Sequence, residues 1–388
     1  MMMKTIRILL LIAAACSGLN FACAQTWTQT SAPNKNWNCV ASSADGAKLI
    51  VVGTVYPNET CISTNSGLAW ISNSPYLFGV VASSADGTKL VAVTGTGNVS
   101  PIYVSADSGN TWIQTTAPTN IEWYCLASSA DGTKIIAAGS PYNPGPIYAS
   151  TNSGSTWMAT SAPLTNWVSI ACSADGNKLA AVIAGGGIYH STDFGVTWTL
   201  ANAPNTNWLG VASSVDGIKL VATAGSGGIY ASTDAGTNWT LTSAPKIGWY
   251  PVASSADGTK LAAGSLGGSI YTSTNSGITW EQNSTPNADW ISIASSADGN
   301  RLIAIFYSGG GVYAFQTMPS PQINITPTYS GFKFSWIIPS TNFVMQQSSD
   351  LASWSSVTNT PVLNLTNLQN ELTLFPTNSS GFYRLTTP

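Results

Sequence analysis

Apolar positions along this chain come in bursts of about six residues, not in helical stripes. The run from Asn207 to Pro245, NWLGVASSVDGIKLVATAGSGGIYASTDAGTNWTLTSAP, holds four such segments: WLGVASS, KLVATA, GIYAST and NWTLTSAP. VDGI, GSG and DAGT separate them. Short segments rich in Val, Ile, Tyr, Trp and Thr, bounded by Gly, Asn and Asp, read as β-strands joined by turns. Stretches such as GVAS and KLVAVT lack clean alternation, which predicts strands buried on both faces.

The pattern repeats. The Asp of an ASSADG-type motif stands at 45, 86, 131, 175, 216, 257 and 298, in steps of 41, 45, 44, 41, 41 and 41. That period is one propeller blade, so the chain is expected to be all-β: a seven-bladed β-propeller of four-stranded antiparallel blades. A second motif, STDAGTNW and its relatives, occurs only six times. After the seventh ASSADG, Phe315 and Gln316 replace the expected Ser-Thr-Asp. QTWTQTSAP at Gln25 to Pro33 matches TNWTLTSAP, with Trp27 lying 43 residues before Trp70. The missing fourth strand is therefore expected at the amino end, pairing with strands from Asp289 to Phe315. One strand from one terminus and three from the other would close the ring and remove its free edges.

Residues 1–24 have the basic start, short apolar run and A-x-A site of a secretory signal peptide, with cleavage expected after Ala24. Cys16 offers an alternative as a lipidated cysteine. Residues 25–318 are read as the propeller. Beyond the linker MPSPQINITP, residues 319–388 carry alternating segments, FKFSWIIP, FVMQQSSD, WSSVTN, ELTLFPT and FYRLTT, that read as a small β-sandwich.

Only 7% of the residues are charged, yet 15 Trp are present, so the chain is not compositionally disordered. Without Lys4 and Arg7 it has 11 basic and 16 acidic residues, which gives nothing to attract nucleic acid. No apolar run after the leader suits membrane insertion. Cys39, Cys61, Cys125 and Cys172 read as small buried hydrophobes, their disulfide state left open.

The S-x-D-x-G-x-T-W motif resembles the Asp box, or BNR repeat, of sialidase-like propellers, sortilin-type receptors, xyloglucan-hydrolysing enzymes and photosystem II assembly factors. FVMQQSSDLASW and the terminal GFYRL resemble fibronectin type III-like modules. For sialidases the resemblance implies an arginine triad and a Tyr nucleophile assisted by Glu. The mature chain has only Arg301 and Arg384, so the triad cannot be built. The arginine-rich patch implied for the assembly factors is missing too.

Ionisable side chains are nearly all consumed by repeats. Of twelve Asp, seven lie in ASSADG-type turns and three in STDAGTNW-type turns, leaving Asp289 and Asp350. Lys48, Lys89, Lys134, Lys178, Lys219, Lys260 and Arg301 each follow a D-G-x. Asn65, Asn152 and Asn275 replace Asp in half the boxes, which favours a structural turn over a metal site. No metal or other cofactor is expected. Glu59, Glu122, Glu281 and Asp289 are the propeller's remaining carboxylates. Glu122 and Asp289 share one position in blades three and seven, across the ring from each other. His190, the only histidine, has no partner set for a triad or metal site.

Alternating strand direction puts both recurrent turns on one rim and the second-to-third-strand loops, with the blade crossings, on the other. From the turn Lys or Arg to the Tyr position, blades four to six span 11 residues, blade seven 12, and blades one to three 13, 14 and 14. Tyr56, Asn58, Glu59, Asn98, Tyr142 and Asn143 on the longer loops are the leading ligand-binding candidates. A second candidate is the aromatic that opens each blade: Trp37, Phe78, Trp123, Trp167, Trp208, Trp249 and Trp290. These rings suit either stacking on sugars at a channel mouth or packing between blades. The resulting expectation is a secreted, monomeric, non-catalytic module that recognises a glycan or an extracellular protein. The alternative is a carbohydrate-active hydrolase using Glu122 or Asp289.

Overall fold

The computed structural model describes residues 27–53, 60–74, 77–94, 100–307, 309–316, 324–328, 331–337, 344–349, 353–364, 369–374 and 382–386. The leader-like segment with Cys16, and Tyr56, Asn58, Glu59 and Asn98, lie outside them. The described residues form strands and turns in two compact units.

The first unit contains seven four-stranded antiparallel sheets. Six are built from consecutive strands, beginning at Cys39, Phe78, Trp123, Trp167, Trp208 and Trp249. The seventh is composite: Thr28–Gln29 pairs with Val312–Gln316, followed by Arg301–Phe306 and Trp290–Ser295. Thr28 faces Ala314 and Gln29 faces Tyr313, which is the expected one-plus-three closure.

First strands of successive blades contact one another around the ring, with blade seven touching blade one. Second strands such as Leu49–Val52 and Ile135–Gly139 are buried along their whole length, as their unbroken apolar runs predict. Fourth strands are shorter than their sequence suggests. Thr240–Leu241 spans two residues, both exposed, because only the outermost edge of the blade remains for it.

A backbone ring runs through the ASSADG-type turns. The Ala44 amide donates to Ala85, Ala85 to Ala130, Ala130 to Ala174, Ala174 to Val215, Val215 to Ala256 and Ala256 to Ala297, all at 2.7–2.8 Å. Within each turn the serine and aspartate lock each other. Ser129 Oγ donates to Asp131 Oδ1 at 2.6 Å and accepts the Lys134 amide at 3.0 Å. Side chains bridge to the next blade: Lys178 Nζ donates to the Asp216 carbonyl at 2.8 Å, and Arg301 Nη1 donates to the Asp45 carbonyl at 3.0 Å. The turn glycine is required twice over. Gly132 has φ +67°, and a Cβ there would stand 2.8 Å from the Lys89 stem.

The second unit packs a four-stranded sheet, whose central strands are Phe332–Ile337 and Gln369–Leu374, with a three-stranded sheet centred on Val344–Ser348. Phe334, Trp336, Met345, Leu372 and Leu374 form its core. It is a small β-sandwich.

Candidate functional site

The two faces of the propeller differ in how their polar groups are used. On the first, the serine and the aspartate or asparagine of each STDAGTNW-type turn bond to each other. Ser105 Oγ accepts the Gly109 amide and donates to Asp107 Oδ1, each at 2.8 Å. Asp107 also accepts the Thr111 amide at 2.8 Å and its hydroxyl at 2.7 Å. At Asn152 and Asn275 the threonine hydroxyl reverses its role to accept from the amide, as in Asn152 Nδ2 donating to Thr156 Oγ1 at 2.9 Å. These side chains are occupied as turn staples. The turn backbone bonds to the ASSADG-type turn of its own blade, as in Phe194 N–H to the Asn177 carbonyl at 2.8 Å, so both motifs share a rim.

On the opposite rim, the loop 140–146 of blade three is held firmly. The Tyr142 amide donates to Ser140 Oγ at 3.1 Å, and the Gly145 amide to the Thr165 carbonyl at 3.0 Å. Tyr142 is 76% exposed and Asn143 is exposed beside it. The Tyr142 ring meets Tyr124 edge-on, with centroids 6.2 Å apart and planes at 89°. One face of the Tyr142 ring is thereby left for a partner.

Tyr124 itself was not singled out by sequence. It sits at a β-bulge between Trp123 and Cys125 in the first strand of blade three, and Tyr250 lies in the corresponding irregularity of blade six. A bulge turns its residue out of the ladder, here from the strands that surround the axis. The Tyr124 and Tyr250 phenols lie near each other, although their blades are not neighbours. Burial, with the neighbouring phenol, holds Tyr124 well above the ordinary tyrosine range, and burial also raises Tyr250. A third unforeseen tyrosine, Tyr307 on the corresponding turn of blade seven, is 61% exposed. The available signal was internal variation. The residue after the opening aromatic changes from Asn38 to Gly79, Tyr124, Val168, Leu209, Tyr250 and Ile291, while the aromatic before it hardly changes.

The opening aromatics do not form a binding surface. Trp37, Trp167, Trp208, Trp249 and Trp290 are 0% exposed, Phe78 likewise, and Trp123 is 4% exposed. Trp208 packs with Ala180, Val182 and Ile188 of the preceding blade and lies edge-on to Tyr230 of its own. This corrects the channel-mouth expectation. Seven indole and phenyl wedges fill the joints, where burial of large rings stabilises the ring most, and no face remains for a sugar.

The spare carboxylates are also placed. Asp289 Oδ1 accepts the Gly267 amide at 2.8 Å, clasping the loop of the preceding blade. Glu122 is half-buried at the corresponding position of blade three, and Glu281 is exposed on the outermost strand of blade six. Among the described residues no group of three His, Cys, Asp or Glu could hold a metal ion. Cys39, Cys125 and Cys172 are free thiols, and burial pushes Cys125 and Cys172 up to about 12. His190 has both ring nitrogens buried without a hydrogen-bond partner, and burial lowers its pKa despite nearby Asp234. A cavity of about 30 Å³ lined by Gly46, Ser66, Arg301, Phe315 and Gln316 has room for water only.

No protein-family model matches the chain, and no curated relative matches it by sequence. Solved structures do. YCF48 from Cyanidioschyzon merolae superposes with a TM-score of 0.59 at 17% identity, over 75% of this chain and 98% of that one. A structure of YCF48 bound to D1 peptide gives 0.57 at 17% identity, over 76% and 96%. The GH74 enzyme of Niastella koreensis gives 0.59 at 15% identity, over 86% of this chain and 68% of that one. At such identities the likeness is one of fold: a multi-bladed β-propeller, shared by proteins with different tasks.

Proposed function

We propose that the chain is an exported, monomeric, non-catalytic recognition module. Its Asp-box propeller binds an extracellular glycan or protein through the rim of loop 140–146, and its fibronectin type III-like unit serves as a spacer or attachment. The observation that carries this reading is Tyr142, a large ring left 76% exposed on a loop pinned by its own hydrogen bonds. A rigid aromatic presented this way loses little entropy on binding. The engagement of Asp289 with Gly267 supports a binding role over hydrolysis, as does the use of the repeated aspartates as turn staples. The peptide bound to YCF48 supports the use of such a propeller for recognition.

The test is to screen the purified chain against immobilised polysaccharides and a peptide library for retention, while assaying the polysaccharides for released sugar. Retention that falls in Tyr142→Ala with no turnover is expected. Turnover abolished by Glu122→Gln or Asp289→Asn would establish the hydrolase instead.

A further inference from the structure

Four tyrosines stand on or beside the second rim. Tyr142 and Tyr124 belong to blade three, Tyr250 to blade six and Tyr307 to blade seven, on the far side of the ring. Tyr142 and Tyr307 are 76% and 61% exposed, and Tyr124, edge-on to Tyr142, lies near Tyr250. Open rings thus stand on opposite blades of one rim. Tyr307 is as firmly placed as Tyr142, since its amide donates to the Asp289 carbonyl at 3.0 Å and nearby Gly309 donates to Asn36 Oδ1 at 2.6 Å.

The charge of this rim selects the ligand. Among the described residues it carries Lys35, Lys246, Glu122 and Asp289, two of each sign and spread over four crossings, while the repeated Asp and Lys lie on the other rim. Nothing here concentrates a field that would draw a polyanion or polycation. Its exposed polar groups are instead neutral amides, Asn120, Asn143, Asn205 and Asn207. Flat rings with amides around them match a pyranose, which offers an apolar face of C–H groups and an equatorial fringe of hydroxyls. Rings on opposite sides of the mouth match a chain more than one sugar long.

Building on the recognition reading above, we propose that this rim, with Tyr142 on blade three and Tyr307 on blade seven, binds an uncharged linear polysaccharide lying across the channel mouth.

Affinity electrophoresis of the mature chain in gels containing hydroxyethyl cellulose, glucomannan or galactomannan, with polygalacturonate and chitosan as charged counterparts, tests this. At least one neutral polymer should retard the protein. Tyr142→Ala and Tyr307→Ala should each raise the dissociation constant roughly ten- to hundredfold, as loss of a buried ring would. Tyr142→Phe and Tyr307→Phe should keep most of the affinity, and none of the four should shift the melting temperature. Retention by charged polymers alone, by none, or by neutral ones indifferent to both alanine changes overturns the proposal. A peptide whose binding is lost in Tyr142→Ala would overturn the polysaccharide while leaving recognition by this rim intact.

Discussion

The amide of Ala297 donates to the carbonyl of Ala44 at 2.7 Å, joining the last blade to the first. Six like bonds join the other neighbours, so the backbone circuit closes with no odd joint. What differs at that joint is the side chain above it. Arg301 replaces the usual Lys and reaches both the Asp45 carbonyl and Ser66 Oγ, at 3.0 and 3.1 Å.

Arg301→Ala should therefore destabilise the propeller by about 1–3 kcal/mol, the range for losing charge-assisted hydrogen bonds. Arg301→Lys should recover part of that. Deleting residues 25–33 should do more, lowering the melting temperature and producing concentration-dependent association as the Val312–Gln316 edge opens. A truncated protein that melts like the intact one and stays monomeric would show that the composite blade does not close the ring.

Each STDAGTNW-type turn holds a non-glycine residue in the left-handed region just before its glycine, for example Ala235 at φ +56° and Phe194 at φ +57°. That conformation costs an L-residue about 1–2 kcal/mol, less for Asn. Ala235→Asn should stabilise by up to about 1 kcal/mol in chemical denaturation and Ala235→Val should destabilise by at least as much. Equal stability of the two would rule out strain at this position.

Trp208→Ala should cost about 3–5 kcal/mol through the cavity left in the joint between blades four and five. Trp208→Phe should fold with a smaller loss and bind any rim ligand normally. Selective loss of binding in Trp208→Phe would return the opening aromatics to the candidate site.

Two acid-sensitive groups act in the same direction in different pH windows. Burial alone would raise the carboxyls of Asp86, Asp131, Asp175, Asp216 and Asp257, but hydrogen bonds from the turn serine and the following residues lower them overall. Their contribution is present above the ordinary carboxylate pKa of about 3.9 and is lost as pH falls through the depressed folded values. His190 is lowered from 6.5, so the neutral ring's contribution is present above that value and declines as pH falls through the folded pKa. Equilibrium unfolding should show two losses on acidification, the higher one absent in His190→Ala. Alanine already occupies that place at Ala149, Ala231 and Ala314. An unchanged profile in His190→Ala would place the higher-pH transition elsewhere.

The architecture was legible because the repeat states it seven times and the terminal mismatch at Phe315 and Gln316 states where the ring closes. Turn staples were legible for the same reason: Ser, Asp and Gly at fixed spacing permit few hydrogen-bond patterns. The site was much less so. Exposed Tyr142 lay on a lengthened loop and could be singled out. Tyr124 and Tyr250 become partners only through the ring geometry that carries two bulges toward one axis, a relationship over 126 residues that no local pattern encodes. The opening tryptophans were open to two readings, since a ring of repeated aromatics looks alike in sequence whether it faces water or a neighbouring sheet.

Blade one ends differently from its neighbours. Its outermost strand, Ile71–Ser74, is four residues long where blades two to six have two, and Ile71 is 68% exposed. A two-residue edge offers too few free amides and carbonyls to template another chain, whereas a four-residue edge with an apolar residue approaches a usable one. Should the protein self-associate at high concentration, the blade-one edge is where strand-to-strand pairing would start. A lysine in place of Ile71 should oppose that pairing by putting a charge on the edge.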